Sequence, residues 1–186
     1  MQKRNVVKIV TPAGRAVFPK LDKPDTKFDA EGKYKLTLVL SKDAEGSKEF
    51  AAGIMEAHEK SGGHAGNSPV KDGDKPLGRT GGVKEEFKGS WLISFKSKFQ
   101  PKFVDAKKQS LDGTNVRIMS GDVVRVAFTR FDFDRGISLR LAAVQLIEKR
   151  SMGSDVSGAF DEVDGFVVEK NETEDAPTAA VANGDF

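Results

Sequence analysis

Two stretches of this chain set lysine or arginine among aromatic rings at strand spacing, a combination suited to gripping a polyanion that carries flat, unpaired bases. One holds Lys96, Lys98, Phe99, Lys102, Phe103, Lys107 and Lys108; the other holds Arg125, Arg130, Phe131, Phe133, Arg135 and Arg140. Cations meet phosphates and ring faces stack on exposed bases, so single-stranded nucleic acid calls for both kinds of side chain. Phe131 and Phe133 share one face of a strand beside the turn Asp134-Arg135-Gly136, with charged Arg130, Asp132 and Asp134 as neighbours, a place where rings are hard to bury. Phe18, Phe50, Phe95 and Phe128 are expected in the core instead. The expected binding set is Lys35, Lys96, Lys98, Arg125, Arg130, Phe131, Phe133 and Arg140.

Other chemistries find less to work with. The chain has no Cys and only His58 and His64, so the usual zinc spacings cannot be assembled, and His58 reads as a solvated residue of a surface helix. Asp72 and Asp74 begin like a calcium loop, but Gly78-Arg79 follows where further chelating oxygens are needed. Asp132 and Asp134 share a face and could hold magnesium, yet arginines flank them. No Gly-Lys-Ser/Thr follows the glycines of residues 61–82, and no Gly-x-Ser-x-Gly occurs. No catalytic residue, metal or cofactor is expected.

The elements that position these residues are mostly strands. Tyr34, Leu36, Leu38 and Leu40 alternate with polar or smaller neighbours, as do Trp91, Ile93, Phe95 and Phe99, then Val124, Val126 and Phe128, then Ile137, Leu139 and Leu141. With residues 6–10 and 14–18 they give five or six strands. One helix is expected, with Ser47 as N-cap and Phe50, Ile54 and Ala57 on one face. Residues 61–82 are Gly-rich and poor in apolar anchors, which suggests a long mobile loop. The pattern favours a mainly β, five-stranded barrel of the oligonucleotide-binding (OB) type with one connecting helix over a β-sandwich, and over a parallel α/β sheet.

Charge divides the chain. Residues 1–150 hold 29 Lys and Arg against 19 Asp and Glu, whereas residues 151–186 hold one against nine. The expected organisation is a binding domain over 1–150 and a flexible acidic tail over 151–186, too poor in apolar residues to offset its ordering entropy. Such a tail spans roughly 30 to 36 Å, enough to reach any face of a 150-residue body. Its last residues, Asp185 and Phe186, supply a carboxylate and a ring, the chemistry of a docking peptide. No stretch approaches a membrane span or a signal sequence, and the absence of Cys gives no reason to look beyond a reducing cytoplasm.

In this arrangement the chain resembles the phage single-stranded DNA-binding proteins of the podophage type. The resemblance rests on Gly32 to Leu38 continuing through Glu56-Ala57-His58-Glu59, on Gly121 to Leu146, and on the acidic end closing in Asp185-Phe186. Phe131-Asp132-Phe133 falls where that family carries an aromatic pair associated with base stacking. The resemblance implies an OB fold, sequence-independent DNA binding without catalysis in phage replication or recombination, and a tail that recruits replication enzymes such as a polymerase or helicase. It leaves monomer and homodimer open. One departure is the stretch Ala176 to Asn183, which interrupts the acidic run. An RNA-binding or strand-annealing protein, or a non-enzymatic virion component, are the alternative readings.

Overall fold

The computed structural model describes residues 7–27, 30–77 and 81–150. The chain divides into two units, Met1–Met152 and Gly153–Phe186, and the described fold belongs to the first. Its strands are β1 (Val7–Val10), β2 (Gly14–Asp25), β3 (Lys33–Ser41), β4 (Val70–Asp72), β5 (Ser90–Ser97), β6 (Lys102–Val104), β7 (Val123–Phe133) and β8 (Gly136–Glu148). One helix, α1 (Ser47–Lys60), connects β3 to β4. No helix among the described residues is long and apolar enough to cross a membrane.

Five of the strands pair in a ring: β2 with β3, β3 with β5, β5 with β8, β8 with β7, and β7 with β2. Two seams are thin. The parallel β5/β8 seam has a single residue pair, Lys96 with Arg140, and the β2/β7 seam has two. The expected mainly β, OB-like architecture with one helix is therefore present, extended by β1 on β7, β4 on β5 and β6 on β8.

Alternation turns one side chain in two inward. Leu36, Leu38, Leu40, Ile93, Phe95, Val124, Val126, Phe128, Leu139 and Leu141 fill the interior and are almost wholly buried. Phe128 is central, its ring centroid 5.1 Å from Phe95 and 6.1 Å from Phe50 of α1. The helix closes one side of this core through Ser47, Ala51, Ile54 and His58, at i, i+4, i+7 and i+11. A smaller apolar cluster, Val17, Val39, Phe87 and Leu92, lies on the outer face of the sheet under the segment that leads into β5.

Four sequence expectations need correction. Ser47 is the first helical residue and Gly46, at φ 72°, takes the N-cap position; the buried Ser47 Oγ has no hydrogen-bond partner among the described residues. His58 is buried, at 2% exposure. Phe18 is not a core residue: its ring is 59% exposed. The described part of residues 61–82 is anchored, because β4 pairs with β5 and Lys42 holds Asp72 and Asp74 at 2.5 and 2.6 Å. Gly63 and Gly73 serve close packing, since a Cβ there would come within 2.2 Å of the His58 ring and 1.9 Å of the Phe87 carbonyl.

Candidate nucleic-acid interface

Strand register aligns side chains that lie far apart in sequence. Lys20 of β2 stands opposite Lys35 of β3, Lys35 opposite Lys96 of β5, Lys96 beside Arg140 of β8, Arg140 opposite Thr129 of β7, and Thr129 opposite Lys8 of β1. Paired residues project from the same face, so five cations and one threonine form a ladder across six strands. Like charges set directly opposite each other destabilise a sheet. An ordinary surface intersperses acids in such a row; here Asp25, in register with Lys33, lies 2.9 Å from Lys35, the second rung. The hydrogen bond from Lys35, with a second from the Lys27 amide, holds the Asp25 carboxyl below the usual carboxylate range.

Beside the ladder lies an open groove of about 290 Å³ lined by Lys33, Lys96, Ser97, Lys98, Phe131, Phe133, Ser138 and Arg140. Phe131 stands opposite Ser138, and the Arg140 guanidinium lies over its ring at 4.4 Å. That stack pre-orients the guanidinium plane, which can itself carry a base or fork onto a phosphate. Phe133 is 52% exposed at the end of the same strand face. Lys98 is paired with Glu31 at the groove's edge.

Buried His58 fixes the hairpin that carries both rings. Its Nδ1 accepts the Ile137 N–H at 3.2 Å, so Nε2 carries the proton and faces Asn67 Oδ1 at 2.8 Å and the His64 carbonyl at 3.1 Å. Asn67 in turn donates to the Arg135 carbonyl at 2.8 Å, and the Gly136 amide donates to the Ser61 carbonyl at 2.7 Å. The ring lies so close to the backbone that a Cβ at Gly63 or Gly136 would come within 2.2 or 2.3 Å of it. A buried imidazole with both nitrogens engaged is thus a bolt between α1, the Gly-rich segment and the β7/β8 turn.

Of the expected set, the structure brings Lys35, Lys96, Lys98, Phe131, Phe133 and Arg140 to one face. Arg130 projects from the opposite face, where it pairs with Asp132 at 3.0 Å beside Glu56 and Lys60 of α1. Arg125 stands four residues from Thr129, about 13 Å along β7, and donates to the Thr11 carbonyl. Asp185 and Phe186 lie outside the described residues. Sequence reasoning missed Lys8, Lys20 and Lys33. The period-2 pattern of β3 places Lys33 with Lys35, but Lys20 is hidden because the legible alternation of its strand stops at Phe18.

The chain also has matches among known proteins. The profile of a family described as "Enterobacter phage Enc34, ssDNA-binding protein" matches residues 7–177. The C-terminally truncated single-stranded DNA-binding protein from bacteriophage Enc34 superposes with a TM-score of 0.61 at 25% identity, covering 77% of this chain and 87% of that one. The Enc34 protein in complex with ssDNA gives 0.61 at 23%, over 81% and 94%. Gp2.5, a single-stranded DNA-binding protein of bacteriophage T7, gives 0.58 at 16%, over 84% and 98%, a likeness of fold. No curated protein matches.

Proposed function

We propose, for a chain that belongs to the family of the Enterobacter phage Enc34 ssDNA-binding protein, that it binds single-stranded DNA without sequence preference on the outer face of β2, β3, β5, β8 and β7. The observation that carries this reading is the cationic ladder, which sets Lys20, Lys35, Lys96 and Arg140 in one row that the phosphates of a polyanion can follow. Phosphates run along the ladder from Lys20 to Arg140. Bases turn toward Phe131, Phe133 and the Arg140 plane, where stacking is indifferent to base identity and contributes roughly 1–3 kcal/mol per base. Cations that meet phosphates and rings that meet base faces do not read base edges, so the protein coats and protects exposed strands during phage replication or recombination.

The acidic stretch over 151–186, ending in Asp185-Phe186, is proposed to recruit replication enzymes such as a polymerase or helicase. Its support is chemical: carboxylates suit a basic rim and the aromatic ring beside them suits an apolar pocket. Mobility shifts with matched single- and double-stranded oligonucleotides test the first proposal. A strong preference for the single strand, equal across sequences, is expected; equal affinity for the duplex contradicts it. Loss of polymerase or helicase capture on removing Phe186 alone, with oligonucleotide binding intact, is the result expected of the second.

A further inference from the structure

Phe18 is the side chain the core reading cannot absorb. Its ring is 59% exposed on a central strand, and its backbone sits at φ 50°, a conformation that bulky residues rarely adopt. The conformation is supported, since the Phe18 amide donates to Ser120 Oγ at 3.1 Å. The cause is a β-bulge. Val17 stands opposite Thr37 and Lys20 opposite Lys35, so β2 spends one residue more than β3 over the same interval. Bulges re-aim side chains. Here the ring is aimed onto the outer face, edge-on to Phe87 with centroids 6.4 Å apart, with Lys84 Nζ 5.8 Å from its centroid.

The register shows what lies between this ring and the other two. The row next to the ladder runs from Val17 to Thr37 on β3 and Ser94 on β5, then to Ser138 on β8 and Phe131 on β7. The parallel seam at Lys96 and Arg140 sets Ser94 and Ser138 on the same side of the ladder. The result is a trough floored by three small hydroxyl side chains. Cations line one side, the apolar cap over Val17, Val39 and Leu92 lines the other, and an aromatic ring stands at each end. Four strand spacings separate the ends, about 19 Å along the sheet.

We propose that Phe18 is a second base-stacking platform for single-stranded DNA, at the β2 end of the trough whose β7 end is Phe131 and Phe133. The inference rests on the reading of this face as the DNA groove and adds a second anchor to it. Two platforms fix both ends of a bound segment. The small floor between them lets intervening bases lie without a dedicated pocket, as sequence-independent binding requires.

The test measures a fluorescent 12-mer of deoxythymidine bound by the full chain, with Phe18→Ala, Phe18→Tyr, Phe18→Trp and Phe131→Ala in parallel. Phe18→Ala is expected to weaken binding about 5- to 150-fold, the equivalent of roughly 1–3 kcal/mol for a lost stack. Its unfolding midpoint should not fall, because the ring is exposed and the smaller residue strains the backbone no more. Phe18→Tyr should bind within about twofold of the parent. The chain has a single Trp, so the emission added by Phe18→Trp over the parent is readable, and the 12-mer should quench it. If Phe131→Ala weakens binding while Phe18→Ala stays within twofold, the inference falls and the groove reading stands. If the parent itself does not bind, both fall. Weaker binding of Phe18→Ala with a lowered midpoint, together with emission from the Phe18→Trp variant that the 12-mer leaves unquenched, would mark Phe18 as structural and overturn the inference. So would unchanged binding with altered self-association, which would mark a protein-docking surface.

Discussion

Two lysine-bearing regions of the outer surface differ in what surrounds the cation. At the edge formed by β4 and the segment after it, Lys42 lies between Asp72 and Asp74 and over the Trp91 ring at 4.4 Å. Its charge is matched and its role is to tie the β3/α1 connection to β4. Along the ladder, Lys96 stands between Lys35 and Arg140, and Arg140 leans on a ring instead of a carboxylate. The residue types are the same, and the acids are what differ. Electrostatic matching keeps one cation for the fold, and its absence at Lys96 and Arg140 is what suits the proposed phosphate contacts.

Removing both central rungs should break the comparison most visibly. Lys96→Ala with Arg140→Ala is expected to weaken oligonucleotide binding about 100-fold or more, since hydrogen bonds to charged groups contribute roughly 1.5–3 kcal/mol each. Titration by fluorescence anisotropy measures it, and the unfolding midpoint should rise or stay level as like-charge repulsion is relieved. Phe131→Ala comes next, with a loss of about 5- to 150-fold for one stack; it also unseats Arg140. Arg125→Ala and Arg130→Ala, whose side chains are engaged elsewhere, should change affinity by less than about threefold.

The matched region should show the reverse pattern, with affinity unmoved and stability altered. Lys42→Met is expected to leave oligonucleotide binding unchanged and to lower the unfolding midpoint, by releasing β4 and leaving two carboxylates side by side. The same cluster predicts an acid limb. Burial pushes the Asp72 carboxyl up, but hydrogen bonds from Lys42 and the Asp74 amide outweigh it and its pKa is lowered; Asp74 is lowered by Lys42 and the Gly89 amide. A carboxyl held lower in the folded state adds stability above its unfolded pKa and loses it as pH falls through the folded one. The midpoint should therefore drop below about pH 4, and less steeply in Asp72→Asn. Lys42 is raised by the same two carboxylates, so its contribution is present below the ordinary lysine pKa and fades only at more alkaline pH.

The strand faces were legible because hydrophobic alternation is a local property: Leu36, Leu38 and Leu40 declare an inner face, and Lys35 an outer one, within a few residues of each other. What stayed hidden depends on pairing between distant segments. Lys20 joins the ladder only because a bulge shifts β2 against β3, and Phe18 is exposed for the same reason. His58 reads locally as a surface residue because nothing nearby announces that Ile137, about eighty positions later, donates to its ring. Arg125 and Arg130 carry the same chemistry as the ladder residues, yet one has a carbonyl partner in the segment before β2 and the other projects from the face of β7 opposite the ladder.

The salt dependence of single-strand binding, compared between the parent and the Lys96→Ala, Arg140→Ala double variant, tests the central claim most directly. Neutralising about five phosphates along the ladder predicts that log K falls with log salt at a slope of roughly −3.5, and removing two rungs should bring it to roughly −2. A slope near zero in the parent, or one that the double variant leaves unchanged, would contradict the claim that this ladder is what holds the strand.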